Sequence, residues 1–551
     1  MKKIIWVFLF IFTVLGPIQA QDINLKPVTG TVAVTNVNII PSPGKYIENA
    51  TVLVRDGLIT AVGTNVSVPP GARIIKSDSM YLYPGFILGM SHAGITMPKQ
   101  EERPEVKDPG NPPNDIAGIT PGRLVNPYLE VSHKSIEDWR ASGFTMAQTA
   151  PSGGMLPGKG AMVLLKGKSG GDLILKNESF LYATFDGARR MYPSNILGVM
   201  AKYRELYRQA EYAQMFRDSY LSNPTGKERP MYNETLEAFY PVIQKQIPIL
   251  FKAQEILPAQ RAILLKEELD FNLVLTDLKQ GWDLTQEIKN SNSRVLFSLE
   301  LPEWKEKKKD TVKEEESSVE KLQLDERKEE FLKKYYGQMG EFAAAGILFG
   351  FSGLDAKPGE VQKALQKMVE NGLSEDAALA ALTTNPASMF GINRLVGTVE
   401  NGKMANLVIS SKPYFEKDAK IKYVMVEGEL FKYEEKEASK ADPETIAKAT
   451  GTWDYKADTP DGPITGTLIL QETDGVLSGT ISNSLTGQES VLQDILLTED
   501  RLSFNFDVVI TGERMEVIAV LTLSEDTFEG SLSSSGQQYT MKGTKSPNGQ
   551  D

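Results

Sequence analysis

The chain has 551 residues and a formal net charge of −12 at neutral pH, with 41% hydrophobic and 24% charged residues. These proportions are ordinary for a folded protein of about two to four domains, so wholesale disorder is excluded. The acidic balance offers no basic surface, and we therefore expect no nucleic-acid partner. The chain contains no cysteine and two histidines, which excludes disulfides, thiolate metal sites and any site that needs three imidazoles.

Residues 1–20 have the layout of a secretory signal. Two lysines follow Met1, an apolar run extends from Ile4 to Leu15, and the segment ends at the small residue Ala20. This order of charge, apolar stretch and small residue is typical of a signal peptide that is cleaved after Ala20. We therefore expect an exported protein, periplasmic or secreted. No later stretch predicts a membrane span, so we expect none after signal cleavage.

The segment from residue 30 to residue 75 shows the pattern of short strands. Apolar runs occur at Thr31–Thr35 and Ala50–Gly63, and the second run is interrupted by Asp56 and Gly57. An Asp-Gly pair between two apolar runs is a signal for a two-residue β-hairpin turn. The residues alone therefore predict a small antiparallel sheet.

The stretch Tyr81–Ile95 predicts a buried strand that is entered through Pro84 and Gly85 and ends in small residues and His92. A barrel strand delivers a side chain to the mouth of a barrel in this way. Strand-like and helix-like segments alternate after it, which predicts βα units and a parallel sheet closed as a barrel. The strand-like segments are Gly143–Val163, Ile247–Ala253, Phe271–Asp277, Arg294–Glu300 and Phe342–Asp355, and the helical ones are Tyr192–Phe216 and Leu257–Leu269.

Three further segments are interpreted as surface features. The Pro- and Gly-rich stretch Pro98–Pro127 predicts a long loop over the barrel mouth. His133 lies in a segment with the spacing of an exposed helix, and we interpret it as a surface histidine. The Lys- and Glu-rich segment Trp304–Lys334 predicts a solvated helical insertion.

The C-terminal part of the chain has a different pattern. Residues 434–450 form a charged linker, and residues 451–548 contain short, regularly spaced strands. This pattern predicts a separate antiparallel β barrel or sandwich. Its opening at Gly451 is similar to that of small lipocalin-like barrels.

Several of these segments resemble the amidohydrolase superfamily, in particular its imidazolonepropionase-like branch. Residues 84–87, Pro-Gly-Phe-Ile, resemble the opening strand of its barrel, and 143–163 resemble its second strand and following loop. Residues 372–387, 396–409 and 424–430 are similar to its C-terminal ending. The resemblance covers roughly residues 30–432.

The resemblance implies the fold class and the domain boundaries. It implies an α/β protein with a TIM-like (β/α)8 barrel at 84–396 and a small β-sandwich domain built from 21–83 and 397–433. It also implies that the helix after Gly372 stops before Asn385-Pro386. The domain at 451–548 lies outside the resemblance.

The resemblance also locates a metal site that this chain has altered at its first strand. In the family the opening strand continues as Asp-x-His-x-His, and its two histidines bind a catalytic metal. In this chain Leu88 stands at the aspartate position and Met90 at the first histidine position. His92 is the only family ligand position that remains.

The later ligand positions are altered as well. Lys252 stands where the family strand has a histidine, and no histidine is present in Phe271–Asp277. The position of the metal-binding aspartate falls on Ser352 or Gly353. Asp355 follows closely and is a candidate catalytic carboxylate on a shifted loop.

We therefore interpret the chain as an exported amidohydrolase-superfamily protein that has lost its catalytic metal site and has no cofactor. A catalytic zinc needs about three protein ligands, and an ammonium group at Lys252 would repel a dication. His92 and Lys252 are the candidate ligand-binding residues. The expected partners are a small amide or peptide-like ligand, or an active amidohydrolase paralogue that this chain assists as a companion pseudoenzyme.

Two alternatives stay open. The chain could be an active hydrolase of carbon-nitrogen bonds in non-peptide or dipeptide amides, with zinc or an atypical centre that uses Asp355, His92 and Lys252. It could also bind a surface or a carbohydrate through the C-terminal β domain. That function needs an exposed aromatic platform, and the obvious pair, Trp453 and Tyr455, is interpreted as core.

Overall fold

The computed structural model describes residues 30–97, 106–167, 173–302, 319–433 and 443–546, the last with short gaps at 460–461, 474–475, 485–486, 488, 499, 511–512 and 535–536. The predicted signal peptide lies outside the described residues, as do 98–105 of the predicted mouth loop, 304–318 of the predicted insertion and 434–442 of the predicted linker. The contacts divide the chain into two units, residues 1–433 and 434–551.

The elements of the first unit alternate for much of its length between strands and helices. Its strands are β1 Thr31–Ile39, β2 Ile47–Arg55, β3 Leu58–Gly63, β4 Arg73–Lys76, β5 Tyr81–Pro84, β6 Phe86–Ser91, β7 Phe144–Thr149, β8 Gly158–Leu164, β9 Ile174–Ala183, β10 Ile249–Lys252, β11 Leu273–Leu278, β12 Arg294–Ser298, β13 Phe349–Ser352, β14 Leu407–Ser410, β15 Ile421–Val426 and β16 Glu429–Lys432. Its helices are α1 Lys134–Ala141, α2 Ile196–Ser222, α3 Glu234–Glu237, α4 Tyr240–Ile243, α5 Ile256–Leu269, α6 Thr285–Asn290, α7 Val319–Ala344, α8 Val361–Glu370, α9 Glu375–Leu382 and α10 Thr384–Met389.

Strands from both ends of the first unit form one eight-stranded sheet. Its path is β16-β15-β14-β5-β1-β2-β3, and β4 pairs with β1 outside this path. The hairpin predicted at Asp56 and Gly57 joins β2 to β3, and both residues have positive φ, 50° and 80°. Glycine suits the second position because it adopts this conformation without steric cost. The sheet therefore joins the strands before the barrel to the strands after it.

The middle of the first unit is a closed eight-stranded barrel in the order β6-β7-β8-β9-β10-β11-β12-β13. The predicted TIM-like barrel is confirmed, with one difference in strand direction. Strand β8 runs antiparallel to both β7 and β9. The sequence predicts one strand and a following loop at 143–163, whereas residues 150–157 return the chain directly along β7 as a second strand, β8. A connection this short has no room for a crossover helix, so the pair is antiparallel.

Two predicted boundaries differ in the structure, and a third is confirmed. Helix α2 begins at Ile196, where the Asn195 side chain accepts a hydrogen bond from the N–H of Gly198, and it continues past the predicted end at Phe216. Helix α7 extends into the segment predicted as the last barrel strand, which is shortened to β13. The helix after Gly372 is α9, which ends at Leu382 and so stops before Asn385-Pro386 as predicted, and Pro386 lies in the first turn of the next helix, α10. A first-turn N–H has no intrahelical partner, so proline is tolerated there.

The second unit confirms the predicted antiparallel β domain. It contains α11 Pro443–Ala449 and the strands β17 Gly451–Thr459, β18 Gly462–Thr473, β19 Val476–Asn483, β20 Glu489–Val491, β21 Gln493–Thr498, β22 Arg501–Ile510, β23 Glu513–Leu523, β24 Thr527–Ser534 and β25 Gln537–Lys545. These nine strands form one sheet around an apolar core. Within the described ranges of both units, we find no helix with the length and apolar character of a membrane span.

Candidate functional site

The polar side chains of the candidate site come from the C-terminal ends of five barrel strands. His92 follows β6, Lys252 ends β10, Asp277 lies at the end of β11, and β12 and β13 are followed by Glu300 and Asp355. The carboxyl ends of parallel barrel strands meet at one mouth, which is where this architecture carries its sites. The fold therefore brings together the three candidates predicted from sequence, His92, Lys252 and Asp355.

Asp355 is the centre of an ion-pair network at this mouth. The Nζ atom of Lys252 lies 3.6 Å from its Oδ1, and the Nζ atom of Lys279 lies 3.2 Å from its Oδ2. Gln254 donates a hydrogen bond of 2.6 Å to Oδ2, and Lys279 also binds Glu300 at 2.5 Å. Burial alone would raise the pKa of Asp355, but the two ammonium groups outweigh it and hold the pKa below its ordinary value.

His92 has a defined tautomer. Its Nδ1 lies 2.7 Å from the carbonyl oxygen of Ala150. A carbonyl only accepts, so Nδ1 carries the proton and Nε2 keeps its lone pair when the ring is neutral. Burial and the charge of Lys252 lower the pKa of His92, which favours the neutral ring. His92 is therefore a hydrogen-bond acceptor through Nε2.

Asp277 is a buried carboxyl that sequence reasoning did not single out. Its backbone is left-handed, with φ of 60°, and its side chain is fully buried. Gln254 donates to its Oδ2 at 2.7 Å, and its Oδ1 has no hydrogen-bond partner among the described residues. Burial raises the pKa of Asp277, and the nearby charge of Asp355 raises it further. The signal available in the sequence was a carboxylate at the strand end where the family histidine was expected.

The two alternative positions for the family aspartate have different surroundings. Ser352 is fully buried, ends β13 and pairs in the sheet with Met90. At Gly353 a Cβ atom would lie 2.4 Å from the Trp139 ring, so no side chain fits there. Leu88 and Met90, at the positions of the missing family ligands, are fully buried in the apolar cores. None of these four positions places a metal-binding group at the mouth.

The structure also places three residues that the sequence assigned to the surface or to a core. His133 is the N-cap of α1, and its Nδ1 accepts a hydrogen bond of 3.2 Å from the N–H of Ser135. Trp453 and Tyr455 lie in the core of the second unit, 0% and 5% exposed, as interpreted from the sequence. Neither aromatic residue is available as an exposed platform.

The comparisons with known proteins agree with this architecture. Residues 356–431 match the model of the amidohydrolase family. A solved amidohydrolase from Thermotoga maritima MSB8 is similar in fold, with a TM-score of 0.59 and 21% identity over 73% of this chain and 100% of that one. The family match is confined to the C-terminal part of the first unit, and the likeness to the solved amidohydrolase is one of fold.

Other solved structures are similar to this chain with lower TM-scores. A prolidase complexed with N-methylphosphonate-L-proline has a TM-score of 0.42 at 14% identity, over 73% of this chain and 100% of that one. A putative prolidase from Bifidobacterium longum has a TM-score of 0.40 at 14% identity, over 74% and 95%. The comparison with curated proteins gave no match.

The residues present do not fit the catalytic metal that the amidohydrolase fold implies. In the part of the chain that the structure describes, no three His, Asp or Glu side chains converge as metal ligands. Asp355, the carboxylate nearest the mouth, has its two oxygens against the ammonium groups of Lys252 and Lys279. A divalent cation at this place would meet two positive charges, so no reaction step is assigned to a metal here.

Proposed function

We propose that this chain is an exported amidohydrolase-superfamily protein that binds a small amide at its barrel mouth without a catalytic metal. The observation that carries the proposal is the network in which Lys252 and Lys279 neutralise Asp355. The resemblance places the metal-binding aspartate of the family at Ser352 or Gly353, neither of which carries a carboxylate. Asp355, which follows closely, is a counter-ion for two ammonium groups, so the inherited hydrolytic step has no metal-bound nucleophile.

The donors and acceptors at the mouth match an amide. Lys252 is partly exposed, and its loose 3.6 Å contact with Asp355 leaves its ammonium hydrogens available to a carbonyl oxygen. His92 offers Nε2 as an acceptor for an N–H, because its Nδ1–H is committed to Ala150. A cyclic amide presents its C=O and N–H on the same side. We therefore expect lactams and cyclic dipeptides to be the preferred chemical class.

The hydrolase alternative is supported less well by the same geometry. Asp277 and Asp355 have pKa values shifted in opposite directions, which is a common feature of acid-base pairs. Asp277 is fully buried, however, and the hydrogen bonds of Gln254 connect it to Asp355. It holds the network in place rather than touching a ligand. Assistance to an active amidohydrolase paralogue remains compatible with the ligand-binding function.

The first test is the zinc content of the purified mature protein after incubation with zinc and dialysis. We expect far less than one zinc ion per chain. The zinc content should not differ between wild type, His92→Ala and His133→Ala. His133→Ala is the matched control because these are the two histidines of the chain. Near-stoichiometric zinc that is lost in His92→Ala and kept in His133→Ala would refute the metal-free site.

The second test measures ligand binding at His92 directly. Lactams and cyclic dipeptides are titrated into ¹⁵N-histidine-labelled protein, and the ligand is recovered and assayed for hydrolysis. We expect shifts of the His92 ring signals with intact ligand, and about tenfold or more weaker binding in Lys252→Met, because a charge-assisted hydrogen bond is lost. The exposed Lys289→Met serves as control. Hydrolysis that survives chelation and is abolished by Asp355→Asn would instead establish the hydrolase alternative.

A further inference from the structure

Tyr182 lies inside the barrel, just below the candidate site. It is the second-to-last residue of β9, and in the sheet it pairs with Gly158 on β8 and with Leu250 on β10. Tyr182 and Leu250 belong to the same buried cluster inside the barrel, whereas Leu181, the residue before Tyr182, packs in a different one. Alternate residues of a strand share a face, so Lys252 points the same way as Leu250. Tyr182 therefore points into the barrel one layer below Lys252.

The ring of Tyr182 contacts the ring of His92 across the barrel interior. Strands β6 and β9 are not neighbours, since β7 and β8 lie between them. The two ring centres are nevertheless 6.1 Å apart, with their planes inclined by 68° in an edge-to-face arrangement. A ligand that donates its N–H to Nε2 of His92 therefore lies beside Tyr182.

The hydroxyl of Tyr182 lies toward the mouth of the barrel. Burial raises the pKa of Tyr182, and the nearby carboxylates of Asp277, Asp186 and Asp355 raise it further. These three carboxylates lie at or just after the C-terminal ends of β11, β9 and β13. The phenol therefore stays protonated at neutral pH and is a hydrogen-bond donor beside the polar groups of the site.

The protein does not use this donor within the part of the chain that the structure describes. The side chain of Tyr182 is 2% exposed, and its hydroxyl forms no hydrogen bond with another described residue. A buried tyrosine usually finds a partner for its hydroxyl, because burial removes the hydrogen bonds with water. The hydroxyl of Tyr203 also lacks one, but its neighbours are the rings of Phe239, Phe251 and Phe271. Tyr182 has ionisable neighbours near the mouth, where a bound molecule can supply the missing acceptor.

The depth of Tyr182 separates its donor from that of Lys252. Leu250, its partner in the sheet, precedes Lys252 by two residues, which corresponds to roughly 7 Å along a strand. Lys252 and Tyr182 therefore approach a ligand at different levels, and His92 offers its acceptor Nε2 from across the interior. A lactam has one carbonyl group, so it satisfies Lys252 and leaves the hydroxyl of Tyr182 without an acceptor.

We propose that Tyr182 determines the ligand specificity of the barrel mouth, because its hydroxyl donates a hydrogen bond to a second acceptor of the bound ligand. The preferred ligand then carries a carbonyl group for Lys252, an N–H for His92 and a further acceptor for Tyr182. The inference rests on the proposed function and narrows its ligand class from simple lactams to rings with a second acceptor.

The test compares two six-membered rings that differ by one carbonyl group, glutarimide and δ-valerolactam. Each is titrated by calorimetry into wild type, Tyr182→Phe and Tyr212→Phe. We expect the wild type to bind glutarimide about fivefold or more tightly than δ-valerolactam, because a hydrogen bond is added. Tyr182→Phe keeps the ring against His92, so it should lose this preference and bind δ-valerolactam as the wild type does. Tyr212→Phe is the matched control, since Tyr212 is 68% exposed on α2, and it should change neither affinity.

Two results would overturn the role of Tyr182 and leave the proposed function intact. In the first, the wild type binds the two rings equally. In the second, Tyr182→Phe weakens both rings by the same factor, as lost packing or a carbonyl shared with Lys252 would cause. If neither ring and no cyclic dipeptide binds the wild type, the proposed function fails, and this inference fails with it.

Tyrosine labelling gives a readout that lost packing would not reproduce. In protein that carries ¹³C at the tyrosine Cζ atoms, the signal that is missing from Tyr182→Phe belongs to Tyr182. This signal should shift when glutarimide binds and stay in place with δ-valerolactam, because the imide carries the second acceptor and the lactam does not. An unshifted signal in the glutarimide complex rules out the hydrogen bond.

Discussion

Asp277→Asn should stabilise the barrel at neutral pH. In the folded protein the side chain of Asp277 is fully buried. A buried charged group costs about 1–3 kcal/mol or more in lost solvation, and asparagine has the same shape but cannot ionise. Asparagine also adopts the left-handed backbone readily, which matters at φ of 60°. The oxygen that accepts from Gln254 is retained in the amide.

The effect of Asp277→Asn should depend on pH with a definite sign. The pKa of Asp277 is raised by burial from an ordinary value of 3.8, so the folded protein keeps a proton that the unfolded chain has lost. The wild type therefore loses stability as the pH rises from about 4 through the folded pKa, by about 1.4 kcal/mol for each unit of the shift. The variant cannot ionise and avoids this loss. The stability that Asp277→Asn gains over the wild type should therefore be large at pH 8 and small at pH 4.

Differential scanning calorimetry of the full chain measures this effect. The unfolding entropy of a unit of the size of residues 30–433 is about 0.8 kcal/mol/K, so a gain of about 1–3 kcal/mol raises its melting temperature by about 1–4 °C. Asp283→Asn is the control, since Asp283 is exposed and the same exchange should change little. A variant that is less stable at pH 8, or equally stabilised at pH 4 and pH 8, would refute the reasoning.

Three further substitutions test local features. Gly154→Ala should lower the free energy of unfolding by at least about 2 kcal/mol, because the backbone has φ of +77° and the new Cβ would lie 2.3 Å from the Cα of Gly118. Gly153→Ala has open space around it and should lower the stability less in the same thermal scan. Trp453→Ala should cost about 3–5 kcal/mol in the calorimetric transition of the second unit, since Trp453 is fully buried, and Trp453→Phe should recover much of it. Asn195→Ala should cost about 1 kcal/mol in chemical denaturation, because the cap of α2 is lost.

Much of the fold was predictable because the signals are local. The hairpin at Asp56-Gly57 follows from the backbone that this pair adopts, and α5 at Ile256–Leu269 lies within one residue of its predicted start. The strand ends that carry Lys252 and Asp355 were located by the family pattern. The direction of a strand could not be predicted in this way. Strand β8 is antiparallel to β7 because the connection between them is short, and nothing in the residues of β8 itself indicates its direction.

The contacts of the candidate site were less predictable. Lys279 and Glu300 pair across neighbouring strand ends, and Gln254 bridges two carboxyls that are distant in sequence. No periodicity or spacing encodes such contacts, because they exist only when the barrel closes. Asp277 was not identified for a different reason. A single aspartate at the end of an apolar strand has the same sequence pattern as an ordinary exposed strand end, and its burial is evident from the structure.

The charges at the mouth connect Asp277 with the neutral ligand proposed for this site. Lys252 and Lys279 carry two positive charges, and Asp355 and Glu300 carry two negative ones, so these four groups balance one another. A dication would leave this partly buried centre with an excess of two positive charges, and a neutral amide leaves the balance unchanged. Ionisation of Asp277 would add one negative charge and make the centre more attractive to a cation. The raised pKa of Asp277 thus favours the same neutral ligand that the hydrogen-bonding groups of His92 and Lys252 select.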